Sequence, residues 1–193
     1  MKIAKVIMAG LLTTMMVVVS GEELAIVSNP DYVKNVYVAK SKTDITKLFT
    51  KYGETGYKYR FKIEEKAQRK IATVTRKGVF KAKKTGTVNV TLYRKKKGEK
   101  WAKIEEQKVG SEKPDIPKKI TTLKVGDTVD ATSFIKTEMR NKPTSYESSK
   151  TAVAAIDSST GKIKVLKSGS TKITMIYGSG KGSAKYKVKI IVK

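Results

Sequence analysis

Along most of this chain apolar and polar residues take turns one by one. Tyr57, Tyr59, Phe61 and Ile63 alternate with Lys58, Arg60 and Lys62. Val88, Val90 and Leu92 alternate with Asn89 and Thr91, and Ile173 and Met175 with Lys172 and Thr174. Tyr186, Val188, Ile190 and Val192 alternate with Lys187 and Lys189. A period of two places one set of side chains in a core and the other in water, which is the signature of half-buried β-strands. Further strands are predicted at Tyr32–Ala39, Trp101–Val109, Ile120–Val125, Thr128–Ala131 and, more weakly, Thr144–Tyr146. No stretch sustains a helical period. Two single helical turns are expected, at Thr43–Lys51 behind a capping Asp44 and at the corresponding Asp130–Ile135.

The pattern occurs twice. Ile71–Tyr93 and Val153–Tyr177 each hold a short apolar run, a polar turn ending in glycine, a strand, a second glycine and an alternating strand. The glycine pairs, Gly78/Gly86 and Gly161/Gly169, have the same spacing, and Val90, Thr91 and Leu92 fall at the offsets of Ile173, Thr174 and Met175. Glycine at such points supplies the positive φ of a tight turn or bulge. A repeat of this size means one supersecondary unit used twice. The division expected is residues 31–110 and 119–193, joined by a linker at 111–118, because Gly110–Pro117 carries two prolines and no apolar period. Each unit then has about seven short strands, enough for a β-sandwich.

The second copy resembles the bacterial immunoglobulin-like domain of group 2. Tyr146-Glu147-Ser148-Ser149-Lys150 leads into Val153–Ile156, Gly161–Val165 and Gly169–Thr174, the order of that family's motif. The first copy keeps Ile71–Val74, Gly78–Ala82 and Gly86–Thr91 but lacks the Ser-rich lead-in, and neither copy has the family's usual Trp before the strand. The resemblance implies an all-β protein of two tandem immunoglobulin-like sandwiches, with an adhesive or structural role at a bacterial surface.

The N-terminus adds a location. Lys2 and Lys5 precede an uncharged apolar run, Val6–Val19, with small residues at Val18 and Ser20, so residues 1–20 read as a secretion signal and 21–30 as a flexible lead. The apolar run is shorter than the ~20 residues a membrane helix needs, and an uncleaved anchor is the alternative. The sequence has no cysteine. That excludes lipid attachment through a thiol, and the sandwiches must fold without disulfides.

Charge narrows the function. Forty-two Lys and Arg face 17 Asp and Glu, for a net charge of +25, and both units are basic, the first more so. Such a field attracts polyanions. Nearly all of the excess is lysine; Arg60, Arg69, Arg76, Arg94 and Arg140 are the only arginines. Base readout favours arginine forks, and no helix-turn-helix, zinc-finger or RNA-recognition pattern is present, which argues against sequence-specific nucleic acid. Anionic cell-wall polymers, acidic glycans, extracellular nucleic acid or another surface protein are the expected partners. The candidate polyanion-binding residues are Arg94, Lys95, Lys96 and Lys97 at a hairpin tip, Lys81, Lys83 and Lys84, and Lys185, Lys187 and Lys189 on one face of the last strand. The competing view is that these lysines only fill solvent-facing positions and blunt sheet edges. Trp101, at a strand start, is expected in the core, with a stacking platform as the alternative; Tyr57 and Tyr59 are expected to pack inward with Phe61.

Catalytic chemistry is hard to build from this composition. Histidine and cysteine are absent, removing the usual general base, thiol nucleophile and zinc ligands. Glu64-Glu65 and Glu105-Glu106 are adjacent pairs, which a strand sends to opposite faces. Gly178–Ser183 (GSGKGS) precedes a strand rather than the helix a phosphate loop needs. A non-enzymatic secreted or cell-surface protein without cofactor or metal is expected, acting as an adhesive or structural element retained by its basic surface, or as a polyanion-binding protein proper.

Overall fold

The computed structural model describes residues 33–193 throughout and, before them, only the backbone of two strands. These are β1 (Met16–Ser20) and β2 (Glu23–Val27), paired antiparallel with Met16 opposite Val27 and Ser20 opposite Glu23. The rest of the expected secretion signal and lead lies outside the described residues.

From residue 35 the protein is all-β, in two sandwiches of seven strands. The first has β3 (Asn35–Val38), β4 (Lys42–Asp44), β5 (Lys58–Lys62), β6 (Ala72–Val74), β7 (Val79–Ala82), β8 (Gly86–Lys95) and β9 (Ala102–Glu112). The second has β10 (Ile120–Leu123), β11 (Thr128–Asp130), β12 (Ser145–Ser148), β13 (Ala154–Ile156), β14 (Lys162–Val165), β15 (Gly169–Tyr177) and β16 (Ala184–Val192). The sheets are β3-β9-β8-β5 over β4-β7-β6, and β10-β16-β15-β12 over β11-β14-β13. The two orders coincide strand for strand. In both, the first strand lies parallel to the last and every other pairing is antiparallel.

The alternation accounts for the cores. Phe61, Phe80, Val88, Val90, Leu92 and Val109 are buried in the first sandwich, and Ile163, Val165, Ile173, Met175, Val188 and Ile190 in the second. The four repeat glycines all have positive φ: 88° at Gly78, 144° at Gly86, 77° at Gly161 and 139° at Gly169. The expected helical turns are single turns of 3₁₀-helix, Thr46–Leu48 and Ala131–Phe134. In each an aspartate carboxylate accepts from the backbone N–H two residues on, Asp44 from Thr46 at 2.9 Å and Asp130 from Thr132 at 3.0 Å.

The junction between the sandwiches differs from the composition-based linker. Gly110, Ser111 and Glu112 complete β9, with Gly110 opposite Val36 and Ser111 opposite Tyr37. Beyond them Pro114 is buried, Ile116 packs on the second core, and the Asp115 carbonyl accepts from the Lys136 N–H at 2.8 Å. Prolines and polar residues suit a linker in isolation, but neighbouring strands satisfy this backbone and cover its apolar side chains. Val38 joins the second core although it lies on β3. The Glu112 carboxylate accepts from Arg140 N at 3.0 Å and from Asn141 N and Nδ2 at 2.8 and 2.6 Å, and Asn141 Nδ2 also reaches the Val36 carbonyl. Tyr186 Oη donates to the Ala39 carbonyl at 2.7 Å. Lys40, the one non-glycine residue with positive φ among the described residues (74°), lays its ammonium 4.5 Å from the Tyr186 ring centroid.

Candidate polyanion-binding site

The two sandwiches share a plan, so the hairpin in which they differ is informative. In the second sandwich β15 and β16 are joined by a compact turn, with 3₁₀-helix at Gly180–Gly182. In the first, β8 and β9 are longer and carry the basic tip. Their register shifts at Leu92/Tyr93: Leu92 faces Glu105 while Tyr93 faces Lys103, leaving Ile104 as the extra residue. A bulge of this kind increases the local twist and re-aims the residues beyond it.

Beyond the bulge, cations and aromatic rings interleave on both sides of the tip. Arg60 of β5, opposite Tyr93, has its guanidinium carbon 5.0 Å from the Tyr93 centroid and 4.5 Å from that of Trp101. Lys95 approaches the same indole at 5.4 Å. On the other side Arg94 lies 4.3 Å and Lys96 5.3 Å from the Tyr57 centroid. Each such contact is worth about 0.5–1 kcal/mol at an exposed site. From Tyr57 the rings continue inward through Tyr59 and Tyr52 to Phe61 and Phe49 in the core.

Two expectations are corrected here. Trp101 lies just outside β9, half-buried, as a platform for Arg60 and Lys95 rather than as core. Tyr57 precedes β5 and sits under Arg94 and Lys96; Tyr59 packs against the core from a partly buried position. The physical reason is common to both. Beside a lysine-rich tip, an aromatic ring gains cation contact on its exposed face while its other side still excludes water.

Nearby carboxylates are engaged locally. Glu64 pairs with Lys62 at 2.6 Å and accepts from Tyr93 Oη. The bonds from Lys62 and then Tyr93 hold its carboxyl below the usual range, and the Tyr93 phenol is pushed up. Glu106 takes Lys103 at 2.7 Å and Thr91 at 3.0 Å, and its pKa is lowered chiefly by Lys103. Glu105, on the opposite face, accepts from the Thr50 and Lys51 N–H groups. Glu54 pairs with Arg94. Lys97 is exposed and makes no ion pair among the described residues. The tip therefore keeps an excess of positive charge beside three rings.

The three predicted lysine clusters do not converge. Lys81 lies on β7 of the smaller sheet, opposite Lys42 and Thr73; Lys83 and Lys84 occupy the following turn, Lys83 donating to the Arg69 carbonyl. Lys185, Lys187 and Lys189 share an exposed face of β16 in the other sandwich; Lys189 faces Lys172 across the sheet, and Lys185 lies 3.9 Å from Glu147. Arg94, Lys95, Lys96 and Lys97 alone combine charge with aromatic surface. Sequence reasoning missed Arg60 and Tyr93, although the alternation that buries Phe61 and Leu92 also places them together outside. No group of three or more acidic residues able to hold a metal occurs among the described residues, and no helix there is long and apolar enough to cross a membrane.

Comparison with known proteins finds a family model that matches the second sandwich. The bacterial Ig-like domain (group 2) model matches residues 113–188. Domains 4 and 5 of the S-layer protein SbsC are 18% identical, with a TM-score of 0.32, over 72% of this chain and 70% of that one. A SusE-like surface-located polysaccharide-binding protein from the Bacteroides thetaiotaomicron heparin utilisation locus is 15% identical, with a TM-score of 0.35, over 82% of this chain and 32% of its own. The C-terminal fragment of intimin, in complex with the intimin-binding domain of its translocated receptor, is 12% identical, with a TM-score of 0.34, over 78% of this chain and 51% of its own. No curated protein matches. What the matches support is a likeness confined to residues 113–188, the second sandwich and the segment leading into it, which are similar to the bacterial Ig-like domain (group 2).

Proposed function

We propose that the protein is an exported, non-enzymatic surface protein whose first sandwich holds an anionic polymer, an acidic glycan or wall polymer, through the β8–β9 tip. One observation carries this: the tip stacks Arg60, Lys95, Arg94 and Lys96 on Trp101, Tyr93 and Tyr57 while Lys97 stays exposed. Lysine charge attracts any flexible polyanion, and cations held on the rings are fixed in place to pair with its acidic groups. Sandwiches at 31–110 and 119–193 then act as folding units that present the tip, and the remaining lysines supply the long-range field.

Charge-driven binding weakens steeply with salt because counterions are released. The full chain is therefore expected to co-sediment with purified cell walls and to bind teichoic acid or heparin at low salt. Binding is lost by roughly 500 mM, where the screening length is about 4 Å. Lys95→Gln/Lys96→Gln/Lys97→Gln should weaken it much more than Lys124→Gln/Lys136→Gln. Binding that persists in high salt, or that is indifferent to the tip lysines, overturns the reading. Equal avidity for duplex DNA and glycans would make charge alone the determinant. N-terminal sequencing of envelope protein tests the export step, with a mature start near Gly21 expected.

A further inference from the structure

The second sandwich carries a cavity of its own. Its volume is about 470 Å³, and it opens between the chain from Asp130 to Pro143, Tyr146 of β12 and the β13–β14 turn at Ser159 and Thr160. That volume falls within the range of small-molecule sites, about 300–1,000 Å³. The cavity shares no residue with the β8–β9 tip.

The feature that points to a ligand is the Tyr146 hydroxyl. Tyr146 is 6% exposed, and its ring belongs to the second core. Its Oη has no hydrogen-bond partner among the described residues. The hydroxyls of Ser41, Ser111 and Tyr177 are also unpartnered, but those are sealed from solvent. Tyr146 Oη is not sealed, and the cavity is what it borders. The repeat shows what this oxygen is worth to the fold. Tyr146 faces Met175 as Phe61 faces Leu92, so the two rings hold equivalent positions. Phenylalanine fills that position in the first sandwich, at 3% exposed. Packing therefore does not require the Tyr146 oxygen, which sits where a bound molecule can reach it. Burial, and then the charge of Asp130, push the phenol up, so it is a donor at neutral pH.

The rest of the lining defines the chemistry. Asp130 uses Oδ1 on Thr132 N and Oγ1, which leaves Oδ2 as an acceptor. Glu138 is exposed and makes no ion pair among the described residues. Ile135 and Met139 pack on the core and supply apolar surface. Two carboxylates against the single Lys142 disfavour an anion here, in contrast to the tip. We propose that this cavity binds a neutral sugar ring, with one hydroxyl on Tyr146 Oη, a second donating to the Asp130 carboxylate, and its C–H face on Ile135 and Met139. A sugar hydroxyl gives and accepts at once, so one ring satisfies a phenol donor and a carboxylate acceptor together. The site is independent of the anionic polymer at the tip.

The test is a titration of ¹⁵N-labelled full-length protein with glucose, N-acetylglucosamine and glucuronate at constant ionic strength. At least one of the two neutral sugars is expected to give saturable amide shifts at Thr132, Met139 and Thr160. Glucuronate should bind more weakly than that sugar. Tyr146→Phe should weaken the neutral sugar by roughly three- to ten-fold, the worth of one hydrogen bond, with the melting temperature nearly unchanged. Glu138→Gln, at an exposed position, should narrow the gap to glucuronate and keep the neutral sugar bound. No saturable shift with either neutral sugar would overturn the proposal. So would wild-type affinity in Tyr146→Phe, tighter binding of glucuronate, or shifts confined to the tip or to the junction at Ser41 and Thr43. A Tyr146→Phe chain that melts far lower would make the hydroxyl structural and overturn it too. Salt-sensitive binding of an anionic polymer at the tip is expected in every one of these cases, so the two readings fail separately.

Discussion

Gly161 is the position where one methyl group should do most damage. Its φ is +77°, and a Cβ there would lie 2.5 Å from Tyr146 Cζ, 2.7 Å from Cε1 and 2.9 Å from Cε2. Tyr146 is 6% exposed and belongs to the second core, so its ring has little room to retreat. Two costs add in Gly161→Ala. The left-handed conformation costs an alanine about 1 kcal/mol, and overpacking against the ring adds about 1–3 kcal/mol. Gly126 separates them, for its φ is +93° but nothing lies within 4 Å of its Cβ. Gly126→Ala should therefore cost about 1 kcal/mol and Gly161→Ala about 2–4 kcal/mol, a large part of the ~5 kcal/mol expected of a small domain. Urea unfolding followed by far-UV circular dichroism reads the total. The single Trp101 reports on the first sandwich alone, so its fluorescence transition should move little. In a Tyr146→Ala background the cost of Gly161→Ala should shrink to that of Gly126→Ala. Equal costs for the two glycines in the native background, or an unchanged cost after Tyr146 is removed, would refute the steric argument.

Gly86→Val should destabilise the first sandwich by more than ~1 kcal/mol, since φ is +144° and a Cβ would meet Ile71 Cδ1 at 2.9 Å; Trp101 fluorescence in urea measures it. Gly182→Ala should loosen the junction without unfolding either sandwich, because the new Cβ would fall on the Lys42 carbonyl oxygen; ¹⁵N relaxation should then show two tumbling rates where the parent shows one. Alkali should act through Tyr186. Burial raises its phenol from 10.0 to about 12, so the folded state holds the proton more tightly than the unfolded chain does. Stability is then complete below pH 10 and falls between pH 10 and 12; Tyr186→Phe, which cannot ionise, should flatten that fall in melting scans. Acid should act in the opposite sense through Glu64 and Glu106, whose lowered pKa values contribute stability above the ordinary carboxylate range that is lost as the pH drops through the folded values.

The strands were legible in the sequence because a period of two needs no tertiary information. The alternation at Tyr57–Ile63, Val88–Leu92 and Tyr186–Val192 maps directly onto β5, β8 and β16, and the repeated glycine spacing announced that the strand order would recur. Side chains at the ends of strands were harder. Trp101 and Tyr57 flank β9 and β5, where alternation no longer says which way a ring points, and their neighbours Arg60, Lys95 and Arg94 come from other strands. Lysine clusters read off the sequence also overstate sites, for Lys81–Lys84 and Lys185–Lys189 fall on separate sheets, where no ring joins them.

The junction was the least legible part, for a physical reason. Each sandwich satisfies its own core pattern with residues a few positions apart, but Glu112, Asn141, Ala39 and Tyr186 meet across chain separations of up to 147 residues. Nothing local marks Glu112 as the acceptor for two successive backbone N–H groups. Lys40 likewise adopts φ of 74° without any glycine signal, because its N–H bonds to the Ala82 carbonyl and its ammonium rests on Tyr186. A lysine in the left-handed region costs about 1–2 kcal/mol, so the surrounding contacts must fix it there. Those contacts come from both sandwiches at once. The backbone bonds of Ala39 to Glu112, Lys40 to Ala82 and Ser41 to Val38 hold this turn from within the first sandwich, and Tyr186 adds the ring contact and the bond to the Ala39 carbonyl from the second. A variant that undocks the sandwiches, such as Gly182→Ala, should therefore lose the Tyr186 contacts at Ala39 and Lys40 while the Lys40 N–H keeps its bond to the Ala82 carbonyl, and amide exchange at Lys40 would show it.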